Sequence, residues 1–342
     1  MANTQIYLSN LQSSPNHAKY KNYHWADYLE LVCLVNVDGE VSKSDFVRRL
    51  SPNQNDLREG DIDDIDEMED LENEDGHLST ERSTKSDKWK VQLDDWFLLL
   101  EHRQIIYGDY YPFKLDNDTI LLKDNFTSEQ LCYFYLLFSS NLNLFEDSDS
   151  LKLSANFESL CLNVLKNILP SNAEVHLFGK SPVNGGIFTG KVWDKLELLS
   201  KKLNEDMNPK INKSAYPHQN TGDDGIDTVA WVPTGDDLPS KMVYFGQCTC
   251  SADGWVLKQH SSSYSSISNK MSLMTFTNNI LFIPFCYRSN TGMWFNTGDI
   301  AKTLMVDRKR LLHYLYDDFT TFEKLEVFQM VKSIVAVKEE IN

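Results

Sequence analysis

The chain has 342 residues, of which 41% are hydrophobic and 12% aromatic, so it can bury a large core. No stretch approaches eighteen uninterrupted apolar residues, and the N-terminal MANTQIYLSN lacks a basic region followed by an apolar core, so we expect neither a membrane span nor secretion. The expected location is the cytoplasm. The six cysteines are scattered through mostly apolar segments, a pattern typical of reduced core thiols. Cys248 and Cys250, the one close pair, have no second pair or histidine at zinc-ligand spacing.

The net charge of −17 argues at first against a nucleic-acid partner, because phosphate binding uses clustered Lys and Arg. Its distribution changes that judgement. Residues 54–76 hold twelve acids and one arginine and account for −11, which leaves −6 for the other 319 residues. The polar region 52–87 lacks hydrophobic periodicity and is predicted to be an exposed, disordered linker. An alternative is that the acidic tract mimics phosphate and restrains activity by occupying a basic groove.

The first half of the chain is predicted to be mainly helical. Residues 26–37 and 38–50 form a helix, turn, helix pattern that fits either a winged-helix-like unit or a purely structural pair. A stripe of apolar residues at helical spacing predicts a core-facing helix: Trp89, Leu93, Trp96, Phe97 and Leu100. A short strand at 119–123 precedes a deeply buried helix capped by Thr127 or Ser128. We therefore predict a helical domain over 1–150 for recognition or partner binding.

The second half has the order of an α/β domain. A helix at 154–169, capped by Ser154, precedes a strand at 173–179 and a helix at 191–206. Three further runs have strand length and composition: 226–232, 242–249 and 281–287. We predict a domain over 151–342 with C-terminal helices, which makes the whole chain α+β.

Oxygen-bearing side chains at two of these strands suggest a metal site. Asp227 opens one strand, and Gln247 and Thr249 share a face of the next because side chains alternate along a strand. Glu158 projects from the preceding helix. Hydrolysis of a phosphodiester with a divalent cation requires such oxygen ligands to converge on one hard ion. Asp223 and Asp224 lie in the turn-like GDDG segment, where an aspartate either contacts the metal or bonds to nearby backbone.

This arrangement resembles the PD-(D/E)xK nuclease superfamily, in particular the Mrr-like restriction endonucleases. The likeness is carried by Phe157-Glu158, by GDDGID at 222–227 and by FGQCT at 245–249, and it covers roughly residues 154–287. It implies a restriction-endonuclease-like αβββαβ core, Mg²⁺ or Mn²⁺ as cofactor, and hydrolysis of DNA, with RNA not excluded. The chain as a whole is also similar to prokaryotic nuclease-fold proteins associated with defence against foreign DNA.

Carried over by position, the resemblance assigns Asp227 as principal metal ligand, Gln247 as the amide in place of a second carboxylate, and Glu158 as an accessory acid. Asp224 is a further candidate ligand. The family's lysine is expected to orient the attacking water and offset charge in the transition state, and here its position holds Thr249, which is neutral and short.

Three explanations of Thr249 stay open. Lys258 replaces the missing lysine, or the enzyme works slowly with metal and water alone, or the domain is an inactive subunit that binds nucleic acid or a protein partner. The third explanation is the alternative to a working nuclease.

The densest basic patch of the sequence is Arg308, Lys309 and Arg310. It either contacts a phosphate backbone or forms salt bridges within the domain. Because the chain is acidic overall, we expect a more basic protein partner, or assembly into a homo-oligomer, to help it hold DNA.

Overall fold

The computed structural model describes residues 11, 21–50, 81–179, 186–216, 221–315 and 319–338, with only the backbone given for residues 81–89 and 215. The predicted disordered linker lies outside these residues over 52–80. Within the described residues no helix has the length and apolar character needed to cross a membrane.

The described chain is a mixture of helices and strands, which confirms the α/β class at that level. The helices are α1 (Asn22–Val35), α2 (Lys43–Leu50), α3 (Glu81–Tyr107), α4 (Ser128–Ser139), α5 (Asp147–Ile168), α6 (Val192–Leu203), α7 (Trp255–Lys258), α8 (Tyr264–Ser268), α9 (Arg308–Tyr314), α10 (Phe319–Glu323) and α11 (Val327–Val335). The strands are β1 (Glu40–Ser42), β2 (Phe113–Asp116), β3 (Thr119–Leu122), β4 (Glu174–Leu177), β5 (Asp206–Met207), β6 (Thr228–Val232), β7 (Met242–Cys248), β8 (Met271–Ser272), β9 (Asn278–Phe282) and β10 (Leu304–Val306).

A five-stranded mixed sheet forms the centre of the second half, in the order β10-β9-β7-β6-β4. Strands β4, β6 and β7 pair antiparallel, and β9 and β10 extend the sheet in parallel with β7. Thr228 at the start of β6 lies opposite Gly246 near the end of β7. The register therefore brings Asp227, one residue before β6, beside Gln247.

The helices of the first half form where capping and apolar spacing predict them. Thr127 caps α4, because its side chain accepts a hydrogen bond from the Gln130 backbone N–H while the Gln130 side chain bonds back to the Thr127 N–H. Helix α4 is buried on all sides, as predicted. On α3, Leu93, Trp96, Phe97 and Leu100 all face the core, and the Trp96 ring stacks on Trp25 of α1 at 4.4 Å.

Three predicted element boundaries were wrong. Helix α3 begins at Glu81, so residues 81–87 are helical and not part of a linker. Helix α5 begins at Asp147, and Ser154 is not its cap; Asp147 and Asp149 instead occupy the first turn, where negative charge is favourable. Strand β9 ends at Phe282, and Pro284 beyond it has no N–H to continue a ladder.

One hydrophobic cluster includes buried residues from both halves of the chain, among them Leu136 of α4, Leu160 of α5, Ile280 of β9 and Leu311 of α9. The domain division predicted at residue 150 falls near the start of α5. That division stays a prediction.

A buried charge network also joins elements distant in sequence. The Arg308 guanidinium, at the start of α9, bonds to the Asp27 carboxylate of α1 at 2.8 Å, and Arg103 of α3 reaches Asp27 and Glu30 at 2.7 Å. Burial alone would raise the pKa of Asp27, but Arg308 and Arg103 outweigh it and hold that pKa below its usual range. The side chain of Arg308 is 0% exposed, so its prediction as a nucleic-acid contact was wrong.

We predict that Arg308→Leu lowers the free energy of unfolding by about 3–5 kcal/mol, because it leaves the Asp27 carboxylate buried beside one guanidinium fewer. Lys309→Leu at the neighbouring half-buried position is the control, with an expected loss below about 1 kcal/mol. Urea unfolding of both variants measures the difference, and equal losses would contradict a structural role for Arg308.

Candidate active site

The backbone of Asp227 is fixed between two strands of the central sheet. Its N–H donates to the Gly246 carbonyl at 3.0 Å, and its carbonyl accepts from the N–H groups of Phe178 at 2.8 Å and Gly179 at 3.3 Å. Asp227 therefore ties the end of β4 to the end of β7, and its side chain is only 3% exposed.

The Asp227 carboxylate is held by donors from β7. Its Oδ2 accepts a hydrogen bond from the Cys248 N–H at 2.6 Å and another from the Gln247 Nε2 amide. Gly246 allows this close approach of β6 and β7, because a Cβ at that position would lie 2.1 Å from the Thr228 Oγ1. Two donors thus fix one oxygen of Asp227 and leave Oδ1 to face the neighbouring helix.

Glu158 of α5 meets Asp227 above Gly179. A Cβ built at Gly179 would lie 3.6 Å from Glu158 Oε2 and 3.7 Å from both Asp227 Oδ1 and the Asp223 Cβ. The distance between Glu158 Oε2 and Asp227 Oδ1 is therefore no more than the sum of these two distances. Glu158 and Asp227 thus approach the same point, Gln247 bonds to Asp227, and the absence of a side chain at Gly179 leaves space beside the two carboxyl groups.

Two oxygens at this site are buried without a hydrogen-bond partner among the described residues, namely Glu158 Oε2 and Gln247 Oε1. The Gln247 amide donates through Nε2 to Asp227, and its oxygen has no hydrogen-bond partner among the described residues. Buried acceptors of this kind are uncommon, because each loses its hydration without compensation. A hydrogen-bond donor or a bound cation would satisfy such an oxygen.

Burial raises the pKa of Glu158 to about 7, with a further contribution from the negative charge of Asp223. The pKa of Asp227 is raised well above its usual range, first by burial and then by Glu158, and the Cys248 N–H opposes that shift. The positive charge of Lys258 lowers both pKa values. The negative charge of Glu158 therefore disfavours ionisation of Asp227, and the negative charge of Asp223 disfavours ionisation of both.

Glu158 also lines an open cleft of about 530 Å³. Thr249, Asp253 and Lys258 contribute to the same wall, together with small residues such as Ser251 and Ala252. Among the lining residues Lys258 is the one cation, and its side chain is exposed. The cleft thus gives solvent and a ligand access to Glu158 from the side where Lys258 stands.

The helix that carries Lys258 is fixed on both sides of that residue. Trp255 is 2% exposed and packs edge-on against Tyr287 at 4.6 Å. Gln259 is buried, donates to the Asp299 carbonyl at 2.8 Å, and accepts from the Ala301 N–H at 3.0 Å. These contacts of Trp255 and Gln259 hold the backbone of Lys258 in place, although α7 is only one turn long.

Thr249 does not take the place of a charged side chain. It is 2% exposed, its N–H donates to the Phe282 carbonyl at 3.0 Å, and its hydroxyl accepts from the Ser251 N–H at 3.2 Å. The hydroxyl thus stabilises the turn that follows β7.

Asp224 lies elsewhere than predicted. Its carboxylate pairs with Lys270 at 2.9 Å and accepts from the Tyr216 hydroxyl at 3.2 Å, so it is not grouped with Glu158 and Asp227. Asp223 is the member of the GDDG segment whose charge acts on both carboxyl groups. Its Oδ1 accepts from the Gly225 N–H at 2.8 Å, the turn bond that the sequence left open as an alternative.

Two of the three residues in the predicted basic patch are only half-buried, and one of them, Arg310, has partners within the protein. The Arg310 guanidinium donates to the Met305 carbonyl at 2.7 Å and lies 4.8 Å from the centre of the Trp294 ring. Burial lowers the pKa of Lys309, helped by the nearby charge of Arg288. Because Arg308 is buried, only Lys309 and Arg310 of the predicted patch are partly exposed.

Sequence reasoning missed Lys195. This lysine is 2% exposed and donates to the carbonyls of Phe178 at 3.0 Å and Gly222 at 2.9 Å, next to two parts of the site. A signal was available, because position 195 falls on the apolar face of α6 with Val192, Leu196 and Leu199.

No group of three or more His, Cys, Asp or Glu side chains in the described part of the chain is arranged to hold a metal ion. The group around Asp227 has two carboxylates and one amide. Comparison of the chain with protein-family models, with curated proteins and with solved structures finds no match.

We predict that Glu158→Gln raises the free energy of unfolding at pH 8 by about 1–3 kcal/mol, because it removes a buried negative charge. The native pKa of about 7 exceeds the ordinary 4.5, so the wild type loses stability as pH rises from 4.5 to 7, and the loss is complete above pH 7. The advantage of the variant should therefore vanish below pH 4.5.

Urea unfolding between pH 4 and pH 8, without divalent metal, measures this difference. Glu101→Gln on the exposed face of α3 is the control and should change stability by less than about 0.5 kcal/mol at any pH. A Glu158→Gln variant less stable than the wild type at pH 8 would contradict the burial of a charge.

Proposed function

We propose that the protein is a metal-dependent nuclease that hydrolyses phosphodiester bonds in DNA, with Mg²⁺ or Mn²⁺ held by Glu158, Asp227 and Gln247. The observation that carries the proposal is the convergence of buried oxygens from α5, β7 and the start of β6 beside an open cleft. A role in defence against foreign DNA belongs to the same proposal, through the family that the sequence resembles.

The residues fit a hard divalent cation. The donor set is entirely oxygen, which Mg²⁺ and Mn²⁺ prefer over nitrogen or sulfur. Two of the oxygens, Glu158 Oε2 and Gln247 Oε1, are buried and have no hydrogen-bond partner among the described residues. A cation between them and Asp227 Oδ1 would satisfy both oxygens. It would also favour the ionised form of two carboxyl groups whose pKa values are raised first by burial and then by neighbouring negative charge.

The order of elements agrees with a restriction-endonuclease-like αβββαβ core, in which we include α5, β4, β6, β7, α7, α8 and β9. Three antiparallel strands, β4, β6 and β7, are followed by β9, which pairs in parallel with β7. Helix α6 is then an insertion between β4 and β6. Parallel pairing needs a crossover connection, and α7 and α8 lie within that connection.

Each residue of the site has a defined task in this proposal. When bound, the cation supplies Lewis-acid polarisation of the phosphate and activates water for attack. Asp227 keeps one oxygen directed at the cation because Cys248 and Gln247 hold the other. Lys258 lines the same cleft as Glu158 and would offset negative charge as it builds up on the phosphate. We propose that a more basic protein partner, or a second copy of the chain, strengthens the grip on DNA.

A second candidate function is an inactive nuclease-fold subunit that binds nucleic acid or protein. The observation that favours it is Thr249, whose neutral, buried side chain is committed to the turn at Ser251. The two candidates differ in one respect that can be measured, because only the enzyme cleaves DNA when metal is supplied.

We predict that the purified protein with Mn²⁺ cleaves supercoiled or linear DNA and that Asp227→Ala lowers the cleavage rate at least about 100-fold, because it removes the central ligand. Asp237→Ala, an exposed aspartate between β6 and β7, is the control and should retain the wild-type rate. RNA is tested in parallel. Cleavage that persists in Asp227→Ala would show a contaminant or another site, and a wild type that binds Mn²⁺ without cleaving would favour the inactive subunit.

We predict that Lys258→Ala lowers the rate of cleavage about 10- to 100-fold and changes the dissociation constant for Mn²⁺ less than about threefold, because the lysine neutralises the phosphate and is not a ligand. Single-turnover kinetics and calorimetric titration measure the two quantities. Lys324→Ala, at an exposed position in the turn between α10 and α11, is the control. A Lys258→Ala variant with the wild-type rate would remove this lysine from the mechanism.

A further inference from the structure

Lys195 lies next to the site, where its charged group bonds to backbone carbonyls and stands 5.7 Å from the centre of the Phe178 ring. Its Nζ donates to the carbonyls of Phe178 at 3.0 Å, Gly222 at 2.9 Å and Thr221 at 3.4 Å. The side chain is 2% exposed, and removing an ammonium group from water is unfavourable unless strong bonds replace hydration. Three carbonyl acceptors supply those bonds.

These carbonyls belong to the two segments that bring the site together. Phe178 precedes Gly179, the residue above which Glu158 and Asp227 converge, and its N–H donates to the Asp227 carbonyl at 2.8 Å. Gly222 precedes Asp223, whose charge acts on both carboxyl groups. The Lys195 ammonium therefore joins the end of β4 to the segment that leads into β6.

A second lysine holds the other side of the GDDG segment. Lys270 donates to the Asp224 carbonyl at 2.8 Å and pairs with the Asp224 carboxylate at 2.9 Å. Asp224 and Gly225 both have positive φ, at 53° and 81°, a conformation that non-glycine residues rarely adopt without support. The segment is thus fixed by a lysine on each side of a strained turn.

We infer that Lys195 is a positioning residue of the metal site: by holding Phe178 and Gly222 it fixes the distance between Gly179, Asp223 and Asp227, and so the fit of Glu158 and Asp227 around a divalent cation. This inference rests on the proposed function for the cation, while the contact with the loop stands without it. Lys195 bonds to the backbone carbonyls of these two segments, and through them it positions the proposed ligand carboxylates.

A matched control is available in Lys241. It is also a buried lysine, 8% exposed, whose Nζ donates to a backbone carbonyl, that of Lys202 at 3.1 Å. It precedes β7 and stands about 20 Å from Gln247 at the rise of an extended strand. Methionine is similar in shape to lysine, so either substitution removes a buried ammonium group and keeps much of the side chain. Only Lys195 contacts the site.

The experiment compares Lys195→Met with Lys241→Met in the full-length protein by hydrogen exchange and by calorimetric titration with Mn²⁺. In Lys195→Met we expect peptides covering 221–227 to exchange about tenfold faster, and the dissociation constant for Mn²⁺ to rise about tenfold or more. Lys241→Met should keep both values within about twofold of the wild type. Lys195→Arg, which keeps the charge, should recover most of the Mn²⁺ affinity.

Wild-type exchange and Mn²⁺ affinity in Lys195→Met would overturn the inference and leave the proposed metal site intact. If the wild type itself binds no Mn²⁺, the proposed function fails, and the exchange of 221–227 alone decides whether Lys195 fixes the loop. Should Lys195→Met not fold, Lys195→Gln is measured against the same two criteria, because its amide retains a donor without the charge.

Discussion

The site depends on one physical constraint, which is the burial of two carboxyl groups, those of Glu158 and Asp227, on either side of Gly179. Asp227 is compensated in part, because the Cys248 N–H and the Gln247 amide bond to one of its oxygens. Glu158 Oε2 has no such compensation among the described residues, and burial raises its pKa to about 7. A protein that only needed stability would place an apolar or amide side chain at position 158. The buried, unpaired oxygen of Glu158 is therefore the feature that a function has to explain. The proposed divalent cation would provide its missing partner.

The surrounding elements hold these groups in place through contacts that are distant in sequence. Helix α5 supplies Glu158 and packs within the same hydrophobic cluster as α4 and α9. The buried pair of Asp27 with Arg308 connects the first helix to the last part of the chain. Because the proposed ligands come from a helix and from adjoining strands, their geometry is set by packing and by sheet register. The cleft, in contrast, is bounded by the turn after β7 and by Lys258 on a one-turn helix.

Local patterns were sufficient for much of the architecture and for the centre of the site. Strand alternation and the spacing of Asp227 and Gln247 predicted that they meet, and helical spacing predicted the buried face of α3. Long-range pairing was the part that sequence could not supply. The sequence predicts Arg308 as a surface cation, and only the structure shows its buried pairing with Asp27, some 280 residues away. The sequence likewise predicts Asp224 as a ligand, and only the structure shows that it pairs with Lys270. Lys195 was hidden for the same reason, because its partners are backbone carbonyls, which carry no residue-specific signal.

The most direct test of the central claim is the anomalous difference density of a crystal soaked in Mn²⁺. The account predicts one peak near Gly179, about 2.0–2.6 Å from Glu158 Oε2, Asp227 Oδ1 and Gln247 Oε1. Asp224 should stay paired with Lys270 and contribute no ligand. A fully occupied peak elsewhere on the protein, or no peak at Mn²⁺ concentrations that saturate a carboxylate site, would contradict the assignment of these three residues to a divalent cation.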